Sequence, residues 1–316
     1  MSENYILVTG SLAFDLIMDF PGNFADNIDP TKLHILNLSF LVDRLKKERG
    51  GTAGNIAYGL ALLRTKVAVL GAVGEDFADY AKFLELAGVN IKSIKTIKDE
   101  STAQAFIITD KKDNQLSAFY PGAMNKNTLL RITSLKSRPT MVVISPNHPK
   151  AMINITKQCR KLKIPYLYDP GMQLPSLKDD ELKQGITGAK ILIGNDYEIG
   201  LIKSRLKLDS QDLLKQVDIL ITTLGEKGSL IETENSSIKI APGKPRVVDD
   251  PTGAGDAYRA GFIAGLTRGF DLKTCGQMGS IASCFAVEKY GTTNHTFTTA
   301  QFCKRYQQTF KSTLKL

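Results

Sequence analysis

Asp250-Pro251-Thr252-Gly253-Ala254-Gly255-Asp256 is the stretch of this sequence best suited to chemistry. Glycines ahead of a helix leave backbone N–H groups unpaired, and the helix dipole adds partial positive charge there. The sequence predicts that helix from Ala257 to Arg268. Small residues at Ala257, Ala260, Gly261 and Ala264 mark a face that lies close to something. The N–H groups of Gly253, Ala254 and Gly255 then point outward as an anion site, and Asp256 stands within it. A carboxylate there stays ionised and can accept a hydroxyl proton while the turn holds a phosphoryl group. The plainer alternative is a helix cap whose glycines merely shape a turn. Two other phosphate motifs do not fit. Tyr258 stands where a dinucleotide fingerprint needs its third glycine, and no Gly-Lys-Ser/Thr follows as in a P-loop.

Other polar residues could complete such a site. Asp15 follows the first strand-like run, where one carboxylate can accept from two vicinal hydroxyls. A solvated loop aspartate is the alternative. Gly50-Gly51 lets a ligand approach the backbone closely, and Asn55 can both donate and accept. Asn55 could equally be an inward polar residue bonded to backbone. Asn195 and Glu198 share a face at the start of a helix, with oxygens suited to Mg²⁺. The same spacing makes a capping box, and both roles can hold at once. Thr223, Gly225 and Gly228 close another strand-like run as a turn.

These residues need a scaffold. Tyr5–Val8 is a short apolar run that suits a buried parallel strand. A helix should follow promptly, yet the next one runs from about Thr52 to Leu63. Between them Phe14 to Phe20 and Leu33 to Phe40 alternate as short strands. A second excursion holds Thr102 to Thr109 and Gln115 to Tyr120 around Asp113-Asn114, a hairpin signal. Two pairs of strands could form a small sheet over a pocket, a lid that excludes water, or decorate the surface. From Asn125 onward strands and helices alternate. The expected fold is α/β, a doubly wound, mostly parallel sheet with helices on both faces. Residues 1–11, 50–98 and 125–316 make its large domain, and residues 12–49 and 99–124 the small β lid. Ligands in such folds sit beyond the carboxyl ends of the strands, where Ser11, Ser145, Asp169, Asn195, Thr223 and Asp250 are expected. Val247 and Val248 suggest a strand end before Asp250.

The initial Asp, the Thr, Gly-Ala-Gly-Asp and the small-residue helix together resemble the second signature of the ribokinase (phosphofructokinase-B) family. Gly50-Gly51-Thr52-Ala53-Gly54-Asn55 resembles its first signature, and Thr223-Leu224-Gly225-Glu226-Lys227-Gly228 its nucleotide-site motif. The resemblance covers essentially the whole chain, with the motifs in the family's order. It implies that Asp256 is the base and that Gly253, Ala254 and Gly255 stabilise charge on the γ-phosphoryl. It further implies that Asp15, Gly51 and Asn55 bind sugar hydroxyls. ATP contacts fall on Thr223, Gly225 and Gly228, and Mg²⁺ and phosphate near Asn195 and Glu198. Asn294 is carried over to the adenine side, and Asp250 to a cation loop that could take K⁺.

Within the family the likeness is to bacterial adenosine-kinase-like members, carried by Leu33–Phe40, Phe119–Met124 and the motif variant with Arg259. The expected activity is ATP-dependent phosphorylation of a ribonucleoside 5′-hydroxyl, adenosine above all. Leu36, Leu38, Phe40, Phe106, Ile108 and Tyr120 are expected to wall the base. A free-sugar kinase and a nucleoside-binding sensor without turnover are the rivals.

Composition bounds the rest. The chain has 316 residues and a formal net charge of +9, which favours anionic ligands. Its lysines are scattered rather than massed with aromatics, so no nucleic-acid face is expected. No apolar run reaches membrane-span length. Cys159, Cys275, Cys284 and Cys303 lack ligand spacing, and a soluble, cytoplasmic monomer or homodimer is expected.

Overall fold

A computed structural model describes residues 4–28, 37–112 and 114–316. In chain order the elements begin with β1 (Ile6–Thr9), β2 (Ala13–Asp19), β3 (Arg44–Gly50), α1 (Thr52–Leu62) and β4 (Val67–Val73). Then come α2 (Ala78–Leu86), β5 (Asn90–Thr96), β6 (Ala103–Thr109), β7 (Gln115–Tyr120), β8 (Met141–Ile144) and α3 (Pro149–Lys161). They continue with β9 (Tyr166–Tyr168), α4 (Asp179–Ile186), β10 (Ile191–Asn195), α5 (Asp196–Leu206), α6 (Ser210–Leu214) and β11 (Ile219–Thr223). The last are β12 (Ser229–Thr233), β13 (Ser236–Ile240), α7 (Ala254–Thr267), α8 (Leu272–Val287) and α9 (Thr299–Phe310).

Nine strands form one sheet in the order β13-β12-β11-β10-β9-β8-β1-β4-β5. From β11 to β5 every pairing is parallel, while β12 and β13 add an antiparallel edge. The central strands read as unbroken apolar runs because both faces are covered. Alternation sends Ile6 and Val8 into a core with α1, α7, α8 and α9, and Leu7 into a second core with α3 to α6. β1 lies between β4 and β8, and the strand order grows outward from it in both directions. That is the switch point of a doubly wound sheet, where a crevice opens beyond the carboxyl ends. Small residues let α7 seat deeply there. A Cβ on Gly261 would lie 2.5 Å from the Met278 carbonyl oxygen of α8.

The second sheet has the order β3-β2-β6-β7. Its hairpin β6–β7 falls where the sequence placed it. Its other outer strand does not. β3 occupies Arg44–Gly50, whereas Asn37–Phe40 is irregular and Leu33–Leu36, like Asp113, lies outside the described residues. The sequence Arg-Leu-Lys-Lys-Glu-Arg-Gly of β3 hides its strand character, because long charged side chains cover an exposed edge. Phe40 instead packs on Phe20 and Phe24, with ring centroids at 4.8 and 5.2 Å.

Two further expectations change. Val247 and Val248 end no strand. They lie exposed in the irregular connection from β13 to α7, so Asp250 follows no sheet strand. The helix after the glycine turn starts at Ala254, which makes Asp256 part of its first turn.

Candidate active site

Gly253 caps α7 with φ of 80°, a left-handed conformation that favours glycine. The turn before it is built by Asp250, whose Oδ1 accepts from the Thr252 N–H at 2.8 Å. Its Oδ2 accepts from the Gly291 N–H at 2.9 Å, so the 288–296 loop and the turn are joined through one carboxylate. The Ala254 N–H donates to the Pro251 carbonyl at 3.2 Å and is not free, contrary to expectation. The N–H groups of Gly253, Gly255 and Asp256 have no acceptor among the described residues. Asp256 therefore replaces Ala254 among the donors that could meet an anion, with the helix dipole behind them.

Asp256 Oδ2 accepts from Asn55 Nδ2 at 2.8 Å. An ionised carboxylate only accepts, and this fixes the orientation of the Asn55 amide. Thr292 Oγ1 stands 2.9 Å from both Asn55 Oδ1 and the Arg49 carbonyl, and its single proton serves one or the other. Asn55 is buried, and its amide holds Asp256. Burial pushes the Asp256 carboxyl up to about 6, aided by Asp15 and Glu198 and opposed by Arg259 and Asn55. A carboxyl held there is better matched to accepting a proton at neutral pH than an ordinary carboxylate.

A cavity of about 700 Å³ opens before this turn. It brings together Asn195, Glu198, Thr223, Gly225 and Gly228 from the carboxyl ends of β10 and β11 with Gly253, Ala254, Gly255 and Asp256. Asn195 Oδ1 accepts from the Glu198 N–H, and Glu198 Oε2 accepts from the Asn195 N–H, both at 2.8 Å. The capping box exists, and the other Glu198 oxygen has no protein partner among the described residues.

Asp15, Gly51 and Asn55 lie outside the lining of that cavity, and Asn55 is joined to it through its bond to Asp256. Asp15 sits on β2 against Gly50, where a Cβ would come within 2.3 Å of its Oδ2. Burial, then Asp250 and Glu48, push its carboxyl up to about 6. Gly51 has φ of 85°, and a Cβ there would lie 2.6 Å from the Ser11 carbonyl oxygen. Asn294 is set apart from the cavity. Its amide donates to Glu48 Oε2 and the Tyr290 carbonyl at 2.9 Å, and its oxygen accepts from Arg49 at 3.1 Å. These bonds tie the loop to β3, and Asn294 does not line the cavity that holds Thr223, Gly225 and Gly228.

A match to the model of the pfkB family of carbohydrate kinases spans residues 5–299. The chain belongs to the pfkB family. It is a kinase that phosphorylates a hydroxyl group, and the family uses ATP and, as a rule, Mg²⁺. The chain is 35% identical to a nucleoside kinase of Methanothermobacter thermautotrophicus over 315 residues, covering 97% of each protein. A nucleoside kinase of Burkholderia thailandensis in complex with inosine superposes with a TM-score of 0.89 at 32% identity, over 98% of this chain and 100% of that one. The nucleoside kinase of Methanocaldococcus jannaschii, an archaeal member of the ribokinase family, gives 0.89 at 30%, over 97% and 99%. Among the described residues of this kinase no helix is long and apolar enough to cross a membrane.

The site fits Mg²⁺. Glu198 offers a carboxylate oxygen without a protein partner, and Mg²⁺ is usually held by one or two carboxylates plus phosphates and water. Sequence reasoning missed two parts of the site. Thr292 carried no signal beyond its polar loop. The buried pair Arg259–Asp169, with Arg259 Nε 2.6 Å from Asp169 Oδ2, joins residues far apart in the chain. Its trace was one arginine among the small and apolar residues that follow Asp256 in α7.

Proposed function

We propose that this kinase transfers the γ-phosphoryl of ATP to the 5′-hydroxyl of a ribonucleoside, with adenosine the expected substrate and inosine beside it. Asp256 takes the hydroxyl proton. The N–H groups of Gly253, Gly255 and Asp256 receive the charge that develops on the phosphoryl oxygens. Asp15 and the backbone at Gly51 hold the ribose, and Asn55 keeps Asp256 aimed. Thr223, Gly225 and Gly228 line the ATP side. Mg²⁺ near Asn195 and Glu198 would neutralise phosphate charge. Catalysis of this kind is positioning plus electrostatics.

The observation that carries the nucleoside reading is the face of the small sheet that bears Asp15. Register pairs Asp15 with Ala105, Ala105 with Phe119, and Ile17 with Ile107, so these side chains share that face. An apolar, aromatic surface beside a hydroxyl-binding carboxylate suits a sugar joined to a flat base. On this reading the wall differs from the residues expected for it. Phe106 pairs with Leu16, and Ile108 with Met18 and Leu116, on the opposite face with Tyr120. Alternation along β6 and β7 makes the assignment. The likeness to the nucleoside kinases supports the same reading. The small sheet of β3, β2, β6 and β7 then acts as a lid over the ribose.

The test is kcat/KM for adenosine, inosine, guanosine, cytidine, ribose and fructose with one preparation. A nucleoside is expected to exceed ribose by at least about 100-fold, the loss when buried apolar contacts go unused. A better rate with ribose would overturn the nucleoside reading and leave the kinase in place.

A further inference from the structure

The cavity that must admit a polyphosphate is lined by four carboxylates, Asp169, Glu198, Glu226 and Asp256. Arg259 is the one lysine or arginine among its lining residues. The basic excess of the chain therefore lies elsewhere, and little of it faces the place where negative charge accumulates. Arg259 stands one helical turn after Asp256 on α7, and it is 7% exposed. Asp169, at the end of β9, holds its Nε and is 1% exposed, so the guanidinium cannot swing away into solvent.

The far end of the guanidinium lies at the anion turn. A Cβ built on Gly255 would stand 2.7 Å from Arg259 Nη1, and its next neighbour would be Arg259 Cζ at 3.9 Å. No other atom beyond its chain neighbours and its own helix comes within 4 Å of that point. Gly255 has no positive φ, so its backbone would accept alanine. Its lack of a side chain makes room for Arg259. The Gly255 N–H is itself one of the three donors left unpaired at the turn. A fixed cation and the N–H donors thus converge on one spot, beside the base.

We propose that Arg259 is a catalytic residue of this kinase, a buried cation pinned by Asp169 whose Nη1 contacts the phosphoryl group during transfer. The proposal rests on the assignment of Asp256 as the base. A planar fork suits phosphate oxygens, and a cation that is already desolvated and oriented needs no reorganisation as charge develops. Asp169 acts through Arg259 and is a positioning residue.

The test uses the full chain with adenosine and MgATP, and compares Arg259→Gln, Arg259→Lys, Gly255→Ala, Gly255→Ala with Arg259→Gln, and Asp256→Asn. Arg259→Gln should lower kcat by about 10²–10³, the range for one lost donor to a developing anion, with the adenosine Kd within twofold. Arg259→Lys should recover part of that loss, because the charge stays and the fork goes. Gly255→Ala should lower kcat about tenfold or more in the native background and by less than twofold beside Arg259→Gln, since the crowded group is then absent. A structural role for the ion pair would not produce that coupling. Should Arg259→Gln not fold, Asp169→Asn with Arg259→Gln removes both charges together and carries the same kcat expectation. Arg259→Gln within threefold of native kcat, or an equal Gly255→Ala effect in both backgrounds, overturns the proposal. Asp256→Asn retaining more than a tenth of native kcat would instead overturn the assignment of the base, whatever Arg259 does.

Discussion

Asn55 Nδ2 donates to Asp256 Oδ2 at 2.8 Å, although 201 positions separate the two residues in the chain. The first helix after the small sheet's β3 therefore aims the carboxylate on α7. The geometry makes Asn55 a residue that acts on the base, where the sequence suggested contact with substrate.

Asp256→Asn should lower kcat by about 10²–10⁴, the range for a lost general base, and leave adenosine affinity nearly unchanged. Steady-state kinetics and calorimetric titration with adenosine check this together. A mutant above a tenth of native kcat would remove Asp256 from the role.

Thr292→Val should lower kcat by roughly three- to tenfold, the worth of one hydrogen bond of about 1 kcal/mol, without raising KM for the nucleoside. Valine keeps the shape and removes the hydroxyl that steadies Asn55. An effect confined to KM would show that Thr292 serves the substrate instead.

The pH dependence has a definite sign. With Asp256 raised to about 6, kcat/KM should fall as pH drops through about 6, well above the 3.8 of an ordinary aspartate. A profile flat from pH 7 down to 5 would contradict this.

Asp15 offers a stability counterpart. Its folded value of about 6 exceeds the ordinary 3.8, so the folded state holds the proton more tightly. Its contribution to stability falls as pH rises between those values and is level above them. Asp15→Asn removes that loss. Its Tm relative to native should rise between pH 4 and pH 6.5, while its KM for the nucleoside increases. A Tm difference independent of pH would mean that Asp15 titrates normally.

Activity should require a divalent ion and rise with K⁺. The motive for K⁺ is the resemblance of Asp250 and the Gly291 loop to the family's cation site, together with the bond from the Gly291 N–H to Asp250 at 2.9 Å that joins the two. KCl titrated against choline chloride at fixed ionic strength decides it. A flat response removes K⁺ and leaves the Mg²⁺ requirement.

Legibility followed the range of the forces involved. β6, β7 and α1 show in the sequence because alternation, helical period and turn residues are local signals. β3 does not show, because it is an edge strand whose charged side chains carry no alternation. Alternation at Leu36, Leu38 and Phe40 pointed to a strand, yet Phe40 serves an aromatic cluster with Phe20 and Phe24. The glycine turn and the helix behind it were legible, though three residues late at the start, because turn glycines and a helical face of small residues are contiguous signals. Asn55 to Asp256 and Arg259 to Asp169 were not, because each pairs side chains that only the packed sheet brings together.

Glu48 and Arg49 of β3 are bonded to Asn294, the Arg49 carbonyl lies 2.9 Å from Thr292 Oγ1, and Lys46 rests 4.0 Å above the Tyr290 ring. The small sheet is also tied at β2, where Phe14 packs on Phe77 and Tyr80, and just before β6, where Thr102 donates to Asp76, whereas β7 is the outer strand and is exposed along its length. A lid built this way would be held at β3 and β2 and would open at β7. In the proposed kinase a nucleoside would then enter beneath Phe119, while β3, bonded to the Thr292 loop, would stay in place.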